Sequence, residues 1–332
     1  MGSPGAPGNV DDIGTAARLG GYGVLTADED YLYFSDGANR TVRRVDIETR
    51  EVITIAGGGA GTAAADNPVG IRATLGGIEA LTTDGTTLWI SDEGNHVIRA
   101  IDLSCPSPTT NCYAVTTVAG SGQNVHSDGI GRTAGLSGIR GLTYYHGDGK
   151  VYFVDGSQST LRSYDPTTDA VVTHAGQPGQ SSYADGFGTL ARFVSPRYMT
   201  SDNGGTLYIA DTNGARIRSY NTVTTEVGTF AGDGTQAYTD GVGSAAQVHR
   251  PRGMACDGTS IYWVEFNQHT VRQGELANQR VTTLVGSPNT AGYQEGVGAS
   301  ALWDRPFSVV YHFPTQSLYV LDSANAVIRR VY

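Results

Sequence analysis

The chain has 332 residues, 46 of them Gly, with Lys almost absent and a formal net charge of −10. This is the profile of a turn-rich, all-β protein, and its charge speaks against nucleic acid or an anionic membrane surface as generic partners. No apolar run approaches the roughly 18 residues of a transmembrane helix.

The opening residues, MGSPGAPGNV, lack the basic and apolar regions of a secretory signal, and their Pro and Gly content makes them poor strand material. A four-part unit then recurs six times. It begins with a short apolar segment, in turn VLTAD, ALTTD, GLTYY, YMTSD, GMACD and SVVYH. A second segment follows: YLYFSD (31–36), TLWISD (87–92), KVYFVD (150–155), TLYIAD (206–211), SIYWVE (260–265) and SLYVLD (317–322). The third is TVRRVD (41–46), VIRAID (97–102), TLRSYD (160–165), RIRSYN (216–221), TVRQGE (270–275) and VIRRVY (327–332). The fourth appears five times, as EVITIAG, AVTTVAG, AVVTHAG, EVGTFAG and RVTTLVG. Alternating aromatic and β-branched residues bounded by Gly, Asn and Ser read as strands.

Four strands per unit, at a period a little under sixty residues, predict one six-bladed β-propeller of four-stranded antiparallel blades. A single blade cannot cover both its faces, so the unit must recur. The expected blades run roughly 11–57, 58–120, 121–176, 177–232, 233–286 and 287–332. Only five outer strands are written. Aligning the repeats on Asp185 matches Gly2 to Gly176, where an outer strand ends. The expectation is a last blade that lacks its outermost strand or has it completed by another segment, in a domain excised from a longer protein. An open edge of this kind invites strand pairing or oligomerisation.

The stretch PRGMACDGTSIYWVEFNQHTVR…VTTLVG, preceded by DGVGSAAQV, resembles the NHL repeat, and the resemblance covers essentially the whole chain in six copies. It implies a binding or scaffold module. A minority of such propellers are enzymes, including peptidyl-hydroxyglycine amidating lyases, and some related six-bladed propellers are lactonases.

Two residue patterns recur too regularly to form a site. The acid closing each second strand (Asp36, Asp92, Asp155, Asp211, Glu265, Asp322) stands seven residues before an Arg (Arg43, Arg99, Arg162, Arg218, Arg272, Arg329). This predicts a repeated ion pair or a turn-capping acid. The DGxG loops supply Asp11, Asp66, Asp128, Asp185, Asp240 and Glu295, which read as turn formers. Calcium is the alternative there, although one acid per loop falls short of the six to eight oxygens it takes. No helix is expected after GxG, so it is not a phosphate loop.

Function is sought where the copies differ. Four residues after each loop's apolar anchor stand Gly23, Glu79, Arg140, Arg197, Arg252 and Phe307, expected at the mouth of the central channel. His126, Tyr183, Tyr238 and Tyr293 precede their loop acids on the same face. An arc of Arg140, Arg197 and Arg252 between Glu79 and Phe307 suits a carboxylate, a sulfate or a peptide terminus. The plain alternative is that Asp155, Asp211 and Glu265 neutralise these Arg residues.

No catalytic residues, metal ligands or cofactor are assigned, because the seven His residues are scattered and no Ser-His-Asp order stands out. The reading is a non-catalytic module binding a protein, peptide or glycan, with a lyase or lactonase-like hydrolase at the channel mouth as the alternative. Cys105 and Cys112 bracket PSPTTN in the second blade and are expected to form a disulfide, which implies a secreted or cell-surface protein. Cys256 reads as an apolar filler in an inner strand.

Overall fold

The computed structural model describes residues 1–59, 65–104 and 112–332. Six antiparallel sheets stand around an axis, each running outward from an inner strand to an outer one. The fourth blade is typical, with strands Pro196–Ser201, Thr206–Asp211, Arg216–Asn221 and Glu226–Ala231 in spatial order. The alternation predicted from sequence places Leu207, Ile209, Ile217 and Tyr220 fully under cover between neighbouring sheets. The ring closes where the amide of Leu25 donates to Ser308 Oγ at 2.9 Å.

Four blades carry one strand more than expected. The DGxG loop lays a two-residue strand outside the outer strand: Asp12–Ile13, Gly129–Ile130, Gly186–Phe187 and Gly241–Val242. A three-residue 3-10 turn, such as Gly131–Thr133, then follows the loop where no helix was expected. It is too short to carry a helix dipole, so the reading against a phosphate loop keeps its physical basis.

The last blade has three strands, Pro306–His312, Ser317–Asp322 and Val327–Val331. Among the described residues Met1 alone pairs with its outer edge, donating to Ile328 O at 2.8 Å and accepting from Ile328 N at 2.9 Å. Ala175 stands opposite Leu161 in the same way in the third blade. Gly2 and Gly176 also share a left-handed backbone, φ 86 and 85. Cys256 is buried as expected, and burial pushes its thiol up to about 11. Cys105, and with it the expected bridge, lies outside the described residues.

Candidate functional site

The regular residues form scaffold, in a more connected arrangement than an isolated pair. Each inward Arg bridges two acids, the one closing the neighbouring second strand at 2.9–3.8 Å and the one from the DGxG loop at 2.6–3.3 Å. The strand acids also accept a loop amide, as Asp211 does from Val194 N at 2.7 Å. In the five complete blades the loop acid takes a Thr from the outer strand, for example Thr173 Oγ1 to Asp128 at 2.8 Å. Asp155, Asp211 and Glu265 are therefore committed to Arg162, Arg218 and Arg272, not to the arc.

His126, Tyr183, Tyr238 and Tyr293 belong to this scaffold in their contacts. Tyr183 lies under Arg216 (3.8 Å) and Arg218, Tyr238 under Arg272 (4.4 Å) and Tyr293 under Arg329 (4.9 Å). His126 takes the corresponding place, 3.4 Å from Thr160 Oγ1. Burial and the adjacent Arg162 guanidinium hold its imidazole below the usual range.

The arc itself converges. Its residues sit where the inner-strand register slips, at Glu79, Arg140, Arg197, Arg252 and Phe307. A bulge turns a side chain out of the alternating pattern, and here it gives these residues to the channel mouth. Glu79, Arg252, Arg197 and Arg140 all act on the buried Tyr198 hydroxyl, which burial pushes up to about 12. Arg140 pairs with Glu79 at 3.1 Å and Glu93 at 3.4 Å. Arg252 lies over Phe266 (4.3 Å) and Phe307 (4.8 Å), and its pKa is lowered chiefly by burial. Phe307 meets Tyr22, Tyr198 and Phe266 edge-on.

Two further arginines border this mouth, and the sequence reading passed them over. Arg250 (φ 47) and Arg305 (φ 55) occupy the left-handed position that Gly21 (φ 93) fills in the first blade. A side chain there costs about 1–2 kcal/mol. The signal was legible as Arg-Pro-Arg and Arg-Pro-Phe at 250–252 and 305–307. Among the described residues, Arg197, Arg250, Arg252 and Arg305 make no ion pair. This leaves a basic, aromatic rim on an acidic protein.

The opposite mouth, formed by the first-to-second and third-to-fourth strand turns, was also missed. It holds a cavity of about 740 Å³, lined by Tyr31, Arg44, Asp84, Tyr113, Tyr311 and Phe313 among others. The channel bore, about 180 Å³, is lined by Thr26, Thr82, Thr143 and Thr200 and shares His146, Tyr311 and Phe313 with that cavity. Among the described residues no group of three or more His, Cys, Asp or Glu could hold a metal ion. Among the described residues no helix is long and apolar enough to cross a membrane.

No protein-family model matches the chain. It is 25% identical over 304 residues to human NHL repeat-containing protein 2, covering 84% of this chain and 42% of that protein. It thus spans less than half the length of this relative. Among solved structures it resembles an auxiliary nutrient binding protein from Bacteroides thetaiotaomicron, with TM-score 0.71 and 16% identity over 99% of this chain and 75% of that one. A streptogramin B lyase matches with TM-score 0.55 and 11% identity, over 93% of this chain and 92% of that one. At such identities these structures share the fold alone.

Proposed function

Taking the chain as what its repeats and relatives make it, an NHL-repeat β-propeller, we propose that it is a non-catalytic binding module. Its basic rim accepts an anionic group of a protein, peptide or glycan. One observation carries the reading: Arg252 is half-buried between two aromatic rings with no carboxylate partner, beside an equally unpaired Arg197. A desolvated cation without a counter-ion is costly, and an incoming carboxylate would offset that cost through charge-assisted hydrogen bonds. The nutrient-binding propeller of similar fold is consistent with a ligand-holding role, and with a secreted or cell-surface setting for this chain. The reading calls for no cofactor.

A glutamate-rich synthetic peptide tests the rim. The parent protein is expected to retain it, and Arg197→Ala with Arg252→Ala to weaken retention by about tenfold or more at unchanged melting temperature. Arg140→Ala should do less, because Glu79 and Glu93 already engage that side chain. Equal retention by parent and double variant would overturn the rim as the binding site.

A further inference from the structure

We infer that the cavity at the opposite mouth is a second binding site, for an organic cation of the alkylammonium class. It opens between turns of the first, second, third and sixth blades, and rings dominate its walls: Tyr31, Tyr33, Tyr113, Tyr311, Phe313 and His146. Those rings are held in place. Tyr311 and Phe313 meet edge-on at 5.0 Å, and Phe313 still exposes 60% of its surface. The turn that carries Phe313 is fixed by His312, which is buried and bridges Glu29 O (2.9 Å) and Thr315 Oγ1 (2.8 Å). Tyr113 stands in the wall with a left-handed backbone, φ 60, a conformation a bulky residue rarely takes.

Charge selects the occupant. Asp28, Glu29, Asp30 and Asp84 line the cavity against one guanidinium, Arg44. Arg44 is already engaged, lying 4.1 Å over the Tyr31 ring and donating to Tyr113 Oη at 2.9 Å. Asp28 is spent on its own turn and on the Tyr33 hydroxyl at 2.7 Å. Asp84 likewise accepts from Thr86 and Thr87 of its own turn, through Oδ1. Glu29, Asp30 and Asp84 make no ion pair among the described residues. Aromatic faces beside uncompensated carboxylates attract a cation with an apolar body through ring quadrupole and Coulomb attraction together. An anion would meet like charge. The two ends of the channel thus differ in sign, basic at the rim and acidic at this mouth.

Calorimetric titration with choline, against its uncharged carbon analogue neohexyl alcohol, tests this. Choline is expected to bind about tenfold more tightly than the alcohol, and more weakly as salt is raised. Glu29→Gln with Asp84→Asn, and separately Phe313→Ala, should each weaken choline severalfold at unchanged melting temperature. Arg197→Ala with Arg252→Ala should leave choline binding unaltered, so failure here and failure at the rim are read separately. Equal affinity for choline and the alcohol, no choline binding, or choline binding indifferent to the cavity variants would overturn the proposal. So would preferential binding of a neutral saccharide such as maltose.

Discussion

The Arg of each third strand carries more of the architecture than any other residue. Arg218 has no exposed side chain, yet it holds Asp211 and Asp185 and donates to two loop carbonyls, Arg192 O and Ala184 O. Removing it strands a buried carboxylate, which typically costs about 3–5 kcal/mol. Arg218→Ala is therefore expected to lose about that much stability in urea unfolding, and a loss below about 1 kcal/mol would contradict the bridging role. Glu265 shows the other side of such burial, which pushes its carboxyl from 4.5 up to about 7 against the opposing pull of Arg272. An acid raised in this way binds its proton more tightly folded than unfolded. Its contribution is fully present below the unfolded value and is lost as pH rises through about 7. Glu265→Gln carries no such charge. Its melting temperature relative to the parent should therefore climb between about pH 5 and pH 8, and a flat difference would contradict the assignment.

Strands explain how a uniform repeat presents unlike residues. In the five inner strands that show it, one slipped residue faces the channel, so a change at that position alters the mouth, and at Phe307 the core packed against it as well. The sixth blade shows what an outer strand contributes when it is missing. Glu295 has 73% of its side chain exposed, against 42% for Asp11 and 47% for Asp240, and lacks the Thr that those acids receive. Val297 is 89% exposed, whereas Val242, laid on an outer strand, is 56% exposed. Among the described residues the edge of Val327–Val331 is paired at Ile328 alone, by Met1, beside an acid that has no outer-strand Thr, and an edge with free backbone groups can take an added strand. A synthetic peptide EVGTF, the part of the fourth blade's outer strand that lies ahead of the place Met1 holds, is expected to raise the melting temperature in a concentration-dependent way. The version with Val in place of its Thr should do so less. No rise with saturating peptide would show that the edge is not a strand acceptor.

At the scale of the molecule, the repeat made most of the fold legible. Alternation marked the strands, the count of similar units set six blades, and the missing fourth copy of one segment marked the three-stranded blade. Loop chemistry was less legible: Asp-Gly announced a turn, but not that the turn would lie on its blade's outer strand and lend its acid to a buried Arg. That link joins residues more than thirty positions apart, such as Asp128 and Arg162. Spacing likewise assigned Arg140, Arg197 and Arg252 to one mouth, but the alternative that Asp155, Asp211 and Glu265 neutralise them fails, because those acids pair with Arg162, Arg218 and Arg272. By itself the sequence determined the four main strands of the repeat and the count of six blades, because local alternation and neighbour-to-neighbour burial repeat along the chain. Only the tertiary structure decided which side chains meet across the channel, that two arginines took strained backbones at the rim, and that a cavity opens at the far end. Ring closure brings together residues as distant as Glu29 and His312, and no periodicity along the chain encodes a contact between its opposite ends.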